Sequence, residues 1–257
     1  MPAIRILYRS ILLLLLIIVG VLVTIIFLRN TRAPQGIANT VAGTWLGAAA
    51  RLFGVTIKTY GIALPERTLF VANHISWLDI LILGHLLPIH FLSKHEIKTM
   101  PIIGWLATRA GTLYIKRGHK DSASYASSEI TDALKQQHNS LIFAEGTTTD
   151  GHIKKFHSRL MQSAIDAEAM VQPVAIFYPV KNPKTQRYEI NPATLFINDI
   201  SIGKSFALIA SQPGINVEVH FLEPINSSGK TRNEIAQHAY DEVVDAIKSI
   251  KKRKVDG

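Results

Sequence analysis

The 257-residue chain has no cysteine, which excludes a disulfide framework, a thiol nucleophile and cysteine-ligated zinc. Histidine and carboxylates are left to carry the chemistry. No serine stands in a GxSxG elbow, so the usual serine nucleophile of an α/β hydrolase is also missing. Acidic residues are scarce, with 19 Asp and Glu against 28 Lys and Arg and a formal charge of +9. That excess calls for an anionic partner, which a nucleic acid, an acidic membrane surface or a phosphorylated substrate would each satisfy. There is no internal repeat and no low-complexity tract.

What is present begins with Ile11 to Leu28, eighteen uncharged and mostly Leu, Ile or Val residues, bracketed by Arg5 and Arg9 before and Arg29 and Arg32 after. At helical rise such a run spans about 27 Å, just enough to cross the hydrocarbon of a bilayer. A secretory signal has a similar form, but this run exceeds the usual h-region and no small-x-small site follows closely. The reading is therefore an uncleaved anchor, with arginines on both flanks leaving its orientation open. A second helix is expected over 37–53, where small residues suit packing on the first span, Trp45 suits an interface, and a core helix of the domain is equally compatible. Residues 1–54 are read as the anchor and 55–257 as one catalytic domain.

From Val55 onward short β-branched runs alternate with helical stretches, the pattern of an α/β domain with a central, mostly parallel or mixed sheet flanked by helices. Strands are expected at Val55–Tyr60, Thr68–Ala72, Ile89–Ser93, Thr112–Ile115, Ser140–Phe143, Val171–Tyr178 and Asn216–Leu222. Helices are expected at Trp77–Leu86, Pro101–Thr108, Asp121–Gln137, Ser158–Ala167 and Thr231–Ile250. The closing basic run Lys248, Lys251, Lys252, Arg253, Lys254 reads as a solvated tail able to add attraction to anionic lipid.

Chemistry concentrates in Val71-Ala72-Asn73-His74-Ile75-Ser76-Trp77-Leu78-Asp79, where a strand runs into a helix. Five positions along one helix would set two side chains about 140° apart, so His74 and Asp79 can meet only across a turn. Ser76 as cap, with Asp79 three residues on, starts the helix at Trp77 and lets the carboxylate reach back to His74. A histidine held by a carboxylate is a poised general base. Taken alone, two such residues would more readily be a helix cap and a backbone-bonded imidazole.

Downstream come Gly111-Thr112-Leu113-Tyr114-Ile115-Lys116-Arg117, Glu145-Gly146-Thr147 and Val171-Gln172-Pro173-Val174. In this order and near this spacing, the four blocks resemble the glycerolipid acyltransferase family, bacterial 1-acyl-sn-glycerol-3-phosphate (lysophosphatidic acid) acyltransferases above all, over roughly 68–180. The resemblance implies that His74 is the general base and Asp79 its orienting partner. It implies that Arg117, assisted by Lys116, holds the acceptor's head group, and that Glu145, Gly146 and Thr147 border the acceptor. Pro173 would belong to a hydrophobic wall of the site, although by itself it demotes its strand to an edge. The family's third block commonly continues with an arginine; here position 148 is Thr, and Lys154, Lys155 or Arg159 are the candidates to replace that charge. The Glu-Gly-Thr-Thr form is similar to the branch containing lyso-ornithine-lipid acyltransferases.

The implied reaction moves an acyl group from acyl-CoA or acyl-carrier protein to the free hydroxyl of 1-acyl-glycerol-3-phosphate, giving phosphatidic acid, with another lysolipid such as lyso-ornithine lipid as the alternative acceptor. The implied partners are the bilayer, the lysophospholipid and the donor, with no nucleic acid, no metal and no bound cofactor. The implied location is the bacterial inner membrane with the catalytic domain cytoplasmic. A non-enzymatic, anionic-lipid-binding membrane protein is the competing reading from another class.

Overall fold

The computed structural model describes residues 1–27, 35–115, 122–197 and 200–253. Two helices lead, α1 (Pro2–Phe27) and α2 (Gln35–Leu52). Helix α1 is long and apolar enough to cross a membrane over 25 residues, and only 17% of its most apolar window is buried. Its first turns nevertheless rest on the rest of the chain, because the buried Arg9 guanidinium donates to the carbonyls of Ala210 (3.0 Å) and Gln212 (2.8 Å). Those carbonyls lie at a helix C-terminus, where orphan acceptors and the negative end of the helix dipole favour a cation. Helix α2 runs back along α1, the Trp45 indole donating to the Leu16 carbonyl at 2.8 Å. Its other side packs on α3, and Gly47 permits this, since a Cβ there would lie 2.4 Å from the His85 ring.

The elements that follow are β1 (Val55–Tyr60), β2 (Thr68–Ala72), α3 (Leu78–Leu86), β3 (Ile89–Lys94), α4 (His95–Lys98), α5 (Ile103–Arg109), β4 (Leu113–Ile115), α6 (Ser122–Lys135) and β5 (Asn139–Phe143). After them come α7 (Gln162–Asp166), β6 (Met170–Phe177), β7 (Pro179–Lys181), β8 (Tyr188–Ile190), α8 (Ile202–Ser211), β9 (Ile215–Phe221), β10 (Ile225–Asn226) and α9 (Arg232–Lys252). The main sheet has the order β1-β9-β6-β2-β5-β3-β4, with β10 added beside β6. Its pairings are parallel except β6 with β9 and with β10. This is the mixed α/β sheet that the alternation of patterns predicts.

Strand β2 sits near the middle and is buried on both faces. Leu69 and Val71 enter a core shared with α6, α7 and α9, while Phe70 and Ala72 enter one shared with α2, α3 and α8. A period of two sorts them, and an unbroken apolar run is what a strand covered on both sides needs. Burying a side chain such as Phe70 contributes about 1.5–3 kcal/mol, so β2 is a rigid post for whatever stands at its end.

Each of the seven expected strands is found to within a residue or two, and α3, α5, α6, α7 and α9 lie where helices are expected. The expected helix over 158–167 divides into a 3-10 turn, Ser158–Met161, and α7. Helix α8, α4, the hairpin β7–β8 and β10 were not anticipated. Pro173 does not mark an edge: it lies in β6, between β2 and β9. Its carbonyl accepts from Leu222 N–H at 3.0 Å. Because a strand residue's N–H and C=O point to the same side, its missing donor falls in the gap between the β9 and β10 pairings, where no ladder bond is lost.

Candidate active site

The site forms where β2 ends. Asn73 extends the strand by proxy, its side chain donating to Ile176 O (3.0 Å) and accepting from Ile176 N–H (2.8 Å) on β6. The chain then turns, and His74 is gripped at its backbone by both neighbours. Its N–H donates to Glu145 Oε1 (2.9 Å), and its carbonyl accepts from Thr149 N–H (2.8 Å). The imidazole stacks on Phe143 with ring centroids 3.8 Å apart.

Asp79, on the first turn of α3, reaches back as its spacing requires. Oδ2 lies 2.8 Å from His74 Nδ1 and accepts from the N–H groups of Ile75 (2.8 Å) and Ser76 (3.0 Å). Ser76 Oγ in turn accepts from Leu78 N–H at 3.3 Å, and Trp77 already has helical φ and ψ. Oδ1 accepts from the Tyr178 hydroxyl at 2.5 Å. The carboxylate is fully buried, yet four donors surround it, which is how a buried charge is made tolerable. Burial and then the neighbouring Asp79 charge hold the Tyr178 phenol well above its ordinary pKa, so it remains a donor. An acceptor at Nδ1 fixes the proton there and leaves the Nε2 lone pair free.

His74 lines a cleft of about 2160 Å³ that extends between α1, α2, α3 and α5. Its walls are largely apolar, with Leu13, Val23, Leu81, Leu106, Phe143 and Phe206 among them. Single small-molecule pockets hold about 300–1,000 Å³, so this volume suits long chains.

Gly146 and Thr147 line the cleft, Gly146 at φ 67 in a turn that glycine adopts without cost. The Glu145 carboxylate is placed apart from Gly146 and Thr147. It does not line the cleft; it is turned inward to His74 N–H and to Lys154 N–H (2.7 Å). Burial raises its pKa against the pull of those amides, and its part is to brace two loops. The Thr148 hydroxyl donates to the Phe196 carbonyl. Lys155 and Arg159 line the cleft, whereas Lys154 does not. Pro173 is buried in the sheet and does not line it either. Lys116 and Arg117 lie outside the described residues. Tyr178 is the site residue that sequence reasoning missed; it lies 99 positions from Asp79, and only the pairing of β6 beside β2 brings it near. Among the described residues no three His, Asp or Glu converge as a metal ion would require.

A mixed α/β scaffold with a carboxylate-held histidine at a strand tip, opening on an apolar cleft, is the build of an enzyme for long-chain substrates. The acyltransferase family model matches residues 56–177. The lyso-ornithine lipid O-acyltransferase of Pseudomonas aeruginosa is 39% identical over 201 residues, 77% of this chain and 75% of that protein. A 1-acyl-sn-glycerol-3-phosphate acyltransferase of Neisseria gonorrhoeae is 33% identical over 56% of this chain and 58% of its own length. In fold, the chain is similar to the crystal structure of the 1-acyl-sn-glycerophosphate (LPA) acyltransferase from Thermotoga maritima, with a TM-score of 0.71, 18% identity and 98% of both chains covered. The chain belongs to the acyltransferase family and is an enzyme of that kind, which sets aside the non-enzymatic reading.

Proposed function

We propose that the enzyme moves a fatty acyl group from a thioester donor, acyl-CoA or acyl-carrier protein, to the hydroxyl of a lysolipid. The observation that carries this is His74, with Nδ1 bound to Asp79, at the wall of an apolar cleft. Nε2 takes the acceptor's proton as its oxygen bonds to the thioester carbonyl carbon; the C–S bond then breaks, and the same proton passes to the departing thiolate. Ester and free thiol are the products. No covalent acyl-enzyme is required, and single-turnover trapping of an acylated protein would overturn this step.

For the acceptor, lyso-ornithine lipid is favoured. The support is the 39% identical relative of that name, together with a threonine at 148 whose hydroxyl is engaged by Phe196. Lysophosphatidic acid is the second reading, supported by the Neisseria relative. Residues 1–54 serve as the membrane anchor and 55–257 as the catalytic unit, facing the cytoplasm where both kinds of donor reside. The deciding experiment offers purified enzyme labelled acyl donor with lyso-ornithine lipid, lysophosphatidic acid or another lysophospholipid. Ester formed fastest on lyso-ornithine lipid is expected; transfer to none of the three would defeat the proposal.

A further inference from the structure

We propose that α4–α5 is a second membrane-contacting element, lying in the lipid interface beside the cleft; this rests on the membrane reading of α1 and α2. Helix α5 has two faces. Ile103, Leu106, Ala107 and Ala110, spaced as one helical face, line the cleft. The other face carries Ile102 and Trp105, which are 50% and 37% exposed, while Met100 and Ile103, which line the cleft, are themselves 43% and 37% exposed. Side chains of this size, left in water together, mark a contact surface.

Three further observations select lipid as the occupant. The segment is basic: Lys94 and Lys98 are exposed, Arg109 lies over the Trp105 ring at 5.9 Å, and Glu96 is the segment's single acid. Apolar side chains with a tryptophan, bordered by cations, match the boundary between acyl chains and anionic head groups. The segment also adjoins α1, whose own exposed apolar side chains continue the surface. Finally, Ile102 sits at φ 62, a conformation costly for a β-branched residue. Strain of this kind persists where surroundings or function hold it, and here it turns an isoleucine outward.

The consequence concerns access. With its outer face in the interface and its inner face on the cleft, α5 forms a wall between bilayer and active site, so a lysolipid passes along it without crossing water.

The chain has three tryptophans, which makes a direct test available. Three single-tryptophan proteins would retain Trp45, Trp77 or Trp105, the others being replaced by Phe, and bind vesicles of phosphatidylethanolamine and phosphatidylglycerol carrying bromine at defined acyl depths. Quenching of Trp105, strongest with shallow bromines and accompanied by a blue shift, is expected. Quenching of Trp45 without Trp105 would overturn this inference and leave the anchor standing, whereas quenching of neither would remove both. Should the double replacements fail to fold, wild type minus W105F isolates the same signal. In parallel, I102E should lower activity on vesicle-borne acceptor several-fold and leave activity on detergent-dispersed acceptor unchanged. Equal loss in both, or in neither, would contradict the proposal.

Discussion

Asp79 accepts four hydrogen bonds and is fully buried, so its orientation is over-determined and the imidazole it holds is pre-aligned. His74→Ala is expected to lower kcat by about 10²-fold or more while leaving the circular-dichroism spectrum and membrane binding intact. Tyr178→Phe removes only a hydroxyl and tests the remote support of the pair. A charge-assisted bond is worth roughly 1.5–3 kcal/mol, so kcat should fall about tenfold or more, with KM for both substrates unchanged. If KM alone moved, Tyr178 would be shaping the cleft and not orienting Asp79. Glu145 offers a pH test. Its folded-state pKa lies above the ordinary glutamate value, so the folded chain binds that proton more tightly than the unfolded one. Its contribution is therefore most favourable at low pH and is lost as pH rises from the ordinary value through the raised one. Glu145→Gln should flatten that part of the dependence of thermal midpoint on pH, just above the ordinary glutamate range. The midpoint near neutrality should also fall, since one amide oxygen replaces two acceptors for two backbone donors.

Local pattern made the turn that joins His74 to Asp79 legible, because side chains five residues apart can meet only there, while the company of the other three motif blocks singled the pair out from an ordinary helix cap. Tyr178 and the inward turn of Glu145 were not legible, since each depends on which strand lies beside β2. Among elements the same division holds. Helix α9 announces itself through Thr231 and Glu234, and the structure forms both halves of the capping box. Thr231→Ala should cost about 1 kcal/mol, read as a lower midpoint in thermal or urea unfolding. Helix α8 is absent from the expected elements although its signals are present: Ser201 accepts from Lys204 N–H as a cap, and Pro213 follows the end. Pro173 misled because the penalty for proline in an interior strand assumes an unbroken ladder, and here β9 ends just where β10 has not begun. The basic tail is also less free than its composition suggests, for Arg253 bonds Glu218 and lies 5.7 Å from the Tyr188 ring.

At the level of the whole molecule, an apolar leading helix, an α/β body and a surplus of cations come together in an acyltransferase. Composition calls for an anionic partner without choosing one; the four motif blocks choose acyl transfer. Strand order could not be read from the chain, because β1 and β9 are joined only in space. Truncation after Pro213 would remove β9, β10 and α9 and expose β1 and β6 together, so the product should be digested by limited proteolysis without a protected core.

That pairing also sets a timetable for biosynthesis. Tyr60 leaves the ribosome 155 residues ahead of Ile215, the first residue of its partner strand, a delay of roughly 8–30 s at ordinary elongation speeds. For nearly all of that interval α1 lacks the carbonyls that later receive Arg9, and β1 lacks its neighbour. The nascent chain therefore waits with its first helix beside α2 but not yet tied to α8, its remaining apolar side chains open to another apolar surface.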